Sequence, residues 1–327
     1  MRQFEYTAPQ TTQQAIGLLG QNWAQAQVLA GGTDLLALMK DDVQSPKRVV
    51  NIKMIPGLDG IQYNATGGLK IGALTKLASV ADNADVQKNY PMIAYAFDEA
   101  ASPQIRYMAT VGGNLCQRPR CWYFRNGFGL LAMKDGKSMV VEGDNRYHAI
   151  IGNNGPAKFV TPSTIAPALI AHGAKVRIVG PSGQREVELA KLYRTPQAEN
   201  EREHDLKPNE VVTEIIIPPA NGAKAAQYEV RQKQAFDWPL SLASVVLSMD
   251  GNTIKQASVV LGAVAPVPWV SQEAAQALAG KPLNEKTAEA AGEAAVSVAK
   301  PLSRNGYKVQ LTRTAVKRAI LQAGGLS

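Results

Sequence analysis

Two pairs of adjacent glycines, Gly31-Gly32 and Gly112-Gly113, occur in similar surroundings, VLAGGTDLLALM at 28–39 and MATVGGNLCQ at 108–117. A backbone without Cβ atoms lets its N–H groups approach an anion closely. The apolar helix expected from Asp34 onward adds the positive end of its dipole, and the hydroxyls of Thr33 and Thr110 can donate as well. Either pair alone reads as a tight turn. Because each follows small apolar residues and precedes polar residues and a leucine, the two together read as halves of one phosphate cradle, suited to a pyrophosphate. No G-x-G-x-x-G follows a strand and no G-x-x-x-x-G-K-[ST] is present, which argues against a nicotinamide dinucleotide or ATP as the principal ligand.

Few other residues have the types and spacing for chemistry. Cys116 and Cys121 are the only cysteines, too close and too few for a disulfide framework, and read as buried small residues. The three histidines are not at metal-ligand spacing, so no metal site is expected. His148 reads as structural, His172 as a helix-end residue and His204 as a surface residue. Trp122, Tyr123 and Phe124, flanked by Arg118, Arg120 and Arg125, read as packing.

The elements that must position the cradle follow from periodicity. A strand at 4–8 and a helix after Thr11 or Thr12 open the chain, and a buried strand at 27–30 leads into the first glycine pair. A strand at 48–53 and a hairpin around Thr66-Gly67-Gly68 follow. LASVADNADVQ reads as one helix and MIAYAFDEAA as another. Residues 117–160 show no clear period, and so long an irregular segment is usually functional or mobile. A helix at 163–171, a hairpin at 175–189, a polar surface excursion at 195–208 and a strand at 211–217 complete this part. Pro218-Pro219 stops that strand and marks a domain boundary. Beyond it, strands at 226–232, 243–249 and 254–261 predict a three-stranded antiparallel sheet, followed by three helices.

The chain is 327 residues long and 45% hydrophobic, with a net charge of +8. Its positive residues are scattered and lack a basic run with interleaved aromatics, so nucleic-acid binding is not expected. No run of eighteen apolar residues and no signal-peptide pattern occurs, so membrane insertion is not expected either. The default compartment is the cytoplasm, or the periplasm where a partner carries a twin-arginine signal.

VLAGGTDLLALMK, LKIGALTKLA, QIRYMATVGGNL and RQKQAFDWPLSLASVVL resemble the successive signatures of the FAD-binding subunits of molybdenum hydroxylases, the xanthine dehydrogenase, carbon monoxide dehydrogenase and aldehyde oxidoreductase group. The resemblance runs from the first strand to the last helix. It implies an α+β chain: a two-lobed FAD-binding domain of the vanillyl-alcohol-oxidase type at 1–220, with lobes at about 1–56 and 57–220, then a small α+β domain at 221–327. It implies FAD as cofactor, held by Val28, Leu29, Ala30, Gly31, Gly32, Thr33, Asp34 and Leu35 in the first loop and by Thr110, Gly112, Gly113 and Asn114 in the second. Thr164 stands where relatives carry an aspartate toward the adenosine side. Asp237 either reaches the flavin region or serves as a turn residue before Trp238-Pro239.

The implied role is electron transfer between iron-sulfur centres and an external acceptor, with no catalytic residue in this chain. The implied partners are a large molybdopterin-binding subunit and a small subunit with two 2Fe-2S clusters, since neither motif is present here. Some relatives hold a 4Fe-4S cluster on four cysteines after the second glycine loop. Cys121 matches the first of these, but 134–145 contains no cysteine, so no cluster is expected. A rival reading is a flavin-free assembly subunit of such a complex. A stand-alone flavin oxidase would need a catalytic base, and none stands out.

Overall fold

The computed structural model describes residues 1–326. Its first sheet is parallel and consists of β1 (Glu5–Thr7), β2 (Ala26–Leu29) and β3 (Arg48–Asn51) in the order β1-β3-β2. β3 is central, and Val49 and Val50 are both buried because both faces of a parallel sheet are covered. The first crossover is the helix Thr12–Leu18, capped by Thr11, whose hydroxyl oxygen accepts from Gln14 N at 3.1 Å. The second is the helix Leu35–Lys40, which follows the first glycine pair.

The second sheet begins with β4 (Ile61–Asn64) and β5 (Gly68–Gly72), paired Asn64 to Gly68 as the Thr66-Gly67-Gly68 turn predicts. After a small hairpin of β6 (Met133–Lys134) and β7 (Lys137–Ser138), it resumes with β8 (Lys175–Gly180), β9 (Gly183–Glu188) and β10 (Val211–Ile217). The order is β4-β5-β10-β8-β9 and every pairing is antiparallel. Ile215 and Ile217 of the central β10 are fully buried, in one core with Ile93 and Phe97 of the helix Pro91–Asp98 and Leu169 of the helix Ala166–Ala171. The stretch LASVADNADVQ forms two helices rather than one, Leu77–Ala81 and Ala84–Asn89. Asn83 ends the run by capping the second, its Oδ1 accepting from Val86 N at 3.1 Å.

The third sheet has four strands, not the expected three: β11 (Lys224–Val230), β12 (Ser241–Asp250), β13 (Thr253–Gly262) and β14 (Trp269–Val270), in that order and antiparallel. β14 is two residues long and lies just after Pro266 and Pro268, so it offers no alternation to read. The helices Gln272–Leu278, Glu285–Val296 and Tyr307–Gly324 cover this sheet and share its core.

The segment 117–160 contains the short helices Trp122–Arg125 and Met139–Glu142 and the β6-β7 hairpin. Part of it is built into the C-terminal unit. Ile150 and Ile151 are fully buried in that unit's core, both donating their N–H groups to Val264 O. Asn305 Nδ2 donates to His148 O at 3.1 Å, and Asn145 Nδ2 to Ser303 Oγ at 3.0 Å. Burying two isoleucines contributes roughly 3–6 kcal/mol to this strap.

Candidate functional site

The first glycine loop leaves the end of β2, and the second forms the start of the helix Val111–Leu115. The first loop packs at Gly31 against the segment leading into the second, and Gly112 packs against Ala73 just after β5. A Cβ on Gly31 would run into the Met108 carbonyl oxygen, and one on Gly112 would lie 2.9 Å from Ala73 Cβ. Gly32 turns the chain with φ +76°, a left-handed conformation that glycine adopts freely. A cavity of about 160 Å³ opens where the loops meet.

The loops treat their N–H groups differently. Among the described residues, the N–H groups of Gly31, Gly32, Thr33 and Asp34 donate to nothing in the chain. In the second loop, Val111 N donates to Thr75 O and Gly112 N to Ala73 O, each at 2.9 Å. Asn114 N donates to Thr110 O at 2.8 Å, and Gly113 N donates to Thr110 Oγ1 at 3.2 Å. Thr110 is therefore a helix cap, almost wholly buried. Gly113 is exposed on the cavity side, and a Cβ there would meet only Thr110 Oγ1, at 2.8 Å.

Asp34 does not act through a free carboxylate. Its Oδ1 accepts from Arg120 Nη1 and Arg125 Nη2, both at 2.7 Å, and its Oδ2 from Arg118 N at 2.9 Å. It thus ties the 118–125 segment to the rim of the cavity. Val28, Ala30, Gly31, Gly32, Thr33, Asp34, Leu35, Thr110, Gly112 and Gly113 all line this cavity. Leu29 packs instead with Met39 and Val49 beneath the loop. Asn114 lines neither cavity described here; its Oδ1 accepts from Ser163 Oγ at 2.7 Å.

Thr164 and Asp237 meet around a second cavity, of about 360 Å³, which Ser163 also lines. The Asn114–Ser163 hydrogen bond therefore ties the second glycine loop's helix to one wall of this cavity. Asp237 serves its own turn, its Oδ1 accepting from Trp238 N at 2.9 Å and its Oδ2 from Lys233 N at 3.1 Å. The walls are aromatic, with Trp122, Tyr147, Phe159 and Trp238. Cys121 Sγ lies 3.2 Å from His148 Nε2, and burial raises the thiol's pKa while holding His148 down at about 4, with Lys308 adding to the latter. This is a neutral pair rather than an activated thiolate. Burial pushes the Cys116 thiol up to about 12. Lys308 is 1% exposed, and its Nζ donates to His148 O at 3.1 Å and Ala263 O at 2.6 Å. Among the described residues, no three His, Cys, Asp or Glu side chains cluster as a metal site.

Several cavity residues escape a reading by pattern. His204, expected on the surface, is 6% exposed and lines the glycine-loop cavity, where its Nε2 meets Cys116 O at 3.2 Å. A carbonyl only accepts, so Nε2 carries the proton and Nδ1 is an acceptor, buried without a partner. Burial, with Arg118 and Arg202 adding to it, lowers this imidazole to about 4. Trp23, Gln44, Arg118 and Arg202 complete the wall. The charged string ENEREHD that carries Arg202 and His204 reads as solvated, but the Tyr193–His204 bridge, the Arg118–Glu203 pair and the contact of His204 with Cys116 O turn it inward.

A model of the FAD-binding domain in molybdopterin dehydrogenases matches residues 2–220. The chain belongs to the FAD-binding subunits of the molybdenum hydroxylases. A second model, the CO dehydrogenase flavoprotein C-terminal domain, matches residues 226–323 of this flavoprotein subunit. The aldehyde oxidoreductase FAD-binding subunit PaoB of Escherichia coli (strain K12) is 30% identical, over 99% of this chain and 99% of that one. The carbon monoxide dehydrogenase medium chain of Hydrogenophaga pseudoflava is 28% identical, over 97% of this chain and 96% of that one. A solved structure of the carbon monoxide dehydrogenase from that organism, lacking the Mo-pyranopterin moiety of the molybdenum cofactor, superposes with TM-score 0.78 at 27% identity, covering 99% of this chain and 98% of its own. The flavoprotein subunit is thus a component of an oxidoreductase of the xanthine dehydrogenase and aldehyde oxidoreductase type. No described helix is long and apolar enough to cross a membrane.

The site suits a bound dinucleotide. Four free N–H groups, an exposed glycine face and the orphaned His204 Nδ1 are partners for phosphate oxygens and a sugar or ribityl hydroxyl.

Proposed function

We propose that this subunit holds FAD with its pyrophosphate at the first glycine loop and relays electrons from 2Fe-2S centres to an external acceptor. The observation that carries the reading is that Gly31, Gly32, Thr33 and Asp34, whose N–H groups have no partner among the described residues, all line one cavity. When bound, the flavin supplies the junction between one-electron carriers and an acceptor that takes electrons singly or in pairs. The chain's residues bind and orient it. The first loop donates, Gly113 leaves room, Asp34 holds the 118–125 segment at the rim, and Asn114 ties the second loop to the Thr164 side. Thr164 and Asp237 border the larger cavity, whose volume and aromatic walls suit a planar ring.

The partners we propose are a large molybdopterin-binding subunit and a small subunit with two 2Fe-2S clusters. The relative from Hydrogenophaga pseudoflava is the medium chain of a carbon monoxide dehydrogenase, which supports this assembly. A flavin-free assembly role would leave the four donors of the first loop without a purpose. The purified chain is expected to be yellow with flavin absorption, and Gly113→Val, whose side chain enters the exposed face while pressing on the capping Thr110 Oγ1, is expected to lose the colour, with thermal unfolding reporting whether the fold is kept. A colourless wild-type protein that fails to take up added FAD overturns the reading. Co-purification of a molybdopterin-containing chain separates it from a stand-alone oxidase.

A further inference from the structure

Four arginines gather around the glycine-loop cavity, and three have carboxylate partners. Arg118 pairs with Glu203 at 2.7 Å, and Arg120 and Arg125 both pair with Asp34. Among the described residues, Arg202 has no carboxylate within ion-pair distance. Its guanidinium lies over the Trp23 ring at 4.4 Å from the centroid. Its other neighbour is neutral. With the Gln44 carboxamide oxygen turned toward the guanidiniums, that oxygen accepts from Arg202 Nη1 at 3.2 Å and Arg118 Nη1 at 2.6 Å.

Arg202 is also well placed. A second hollow, of about 400 Å³, continues from the glycine-loop cavity, and Trp23, Gln44, Arg118 and Arg202 line both. The main chain around Arg202 is fixed on both sides, by Arg194 N donating to Glu203 O at 2.8 Å and Asp205 N to Leu192 O at 2.7 Å. Two guanidiniums sharing one amide oxygen leave an uncompensated positive charge, and burial followed by the Arg118 charge pulls the Arg202 pKa down to about 9. An anion entering the cavity would relieve that repulsion while receiving the free N–H groups of the first loop.

We propose that Arg202 is the cation that recognises the cofactor's diphosphate, with the Trp23 ring as the plate that orients its guanidinium. This rests on the FAD reading above and extends it to a residue outside both glycine loops.

The test uses the full chain freed of flavin and titrated with FAD, with ADP as competitor, in wild type, Arg202→Gln and Arg202→Lys. Arg202→Gln is expected to weaken FAD binding about tenfold to hundredfold, and ADP by a similar factor, as loss of a charge-assisted hydrogen bond predicts. The gap should narrow between roughly 50 mM and 500 mM salt. Arg202→Lys should recover part of the loss, because it keeps the charge. Thermal unfolding of each variant reports whether the fold is intact. Unchanged FAD and ADP affinities in a folded Arg202→Gln protein overturn the proposal, and so does a loss that salt leaves unaltered. A wild-type chain that takes up no FAD instead overturns the underlying cofactor reading.

Discussion

In the first glycine loop, four consecutive N–H groups from Gly31 to Asp34 have no partner among the described residues, whereas in the second loop those of Val111, Gly112, Gly113 and Asn114 are all engaged. The threonines differ in the same way. Thr110 is almost wholly buried and caps its helix, while Thr33 lines the cavity and makes no hydrogen bond among the described residues. One loop thus offers donors to a ligand, and the other offers position and an empty face at Gly113. Similar glycine pairs perform different tasks because one follows a strand that ends and the other begins a helix, whose first N–H groups need partners.

The largest test of this division is Gly31→Val. Its side chain would enter the Met108 carbonyl and drive the loops apart, so we expect about 3 kcal/mol lower stability together with loss of flavin. Gly113→Ala, by contrast, presses only on the capping Thr110 Oγ1, so it should cost no more than about the 1 kcal/mol worth of that cap in urea unfolding while weakening flavin binding. A Gly31→Val protein that keeps both its stability and its colour would break the comparison.

Acid should act on the second loop's side. The folded His204 has its pKa lowered from 6.5 to about 4, so the unfolded chain binds more protons in that window. Its contribution is fully present above pH 6.5 and is lost as pH falls toward 4, by roughly 2–3 kcal/mol. His148 and His172, also lowered to about 4 by burial, titrate in the same direction. The urea midpoint should therefore fall across this window, and a folded His204→Gln variant should show a flatter profile.

Asp34→Asn removes the carboxylate that Arg120 and Arg125 share, and a cost of about 2 kcal/mol is expected. Limited proteolysis should then cut more readily at 118–125, while equal cleavage in wild type and variant would deny Asp34 its anchoring role. The smallest effects sharpen the contrast most. Thr110→Val should cost about 1 kcal/mol as a lost cap, whereas Thr33→Val should leave stability within roughly 0.5 kcal/mol and weaken flavin binding instead. Equal stability losses in the two variants would remove the distinction.

The glycine pairs, the hairpin at Thr66-Gly67-Gly68 and most helices were legible because each rests on a local signal: a missing Cβ, a turn residue, or a period in the apolar residues. β14 was not, since two residues carry no period. Nor was the fate of Asp34, whose partners lie more than eighty positions away. The inward turn of His204 rests on the bridge to Tyr193, the Arg118–Glu203 pair and the Cys116 carbonyl, and the capping by Asn83 divided a helix that apolar spacing alone made continuous. Apart from β14 and the local Asn83 cap, what pattern reading missed were contacts between distant segments, which local sequence does not encode.

The strap that carries His148, Ile150 and Ile151 also has a consequence for biosynthesis. Its hydrogen-bonding partners, Val264, Ser303, Asn305 and Lys308, all leave the ribosome long after it does. A nascent chain that has completed the first two sheets still exposes two isoleucines to water, and one wall of the aromatic cavity is missing. Closure of that cavity is therefore timed by the end of translation, and a chain released early would carry the glycine loops but not the enclosure beside them.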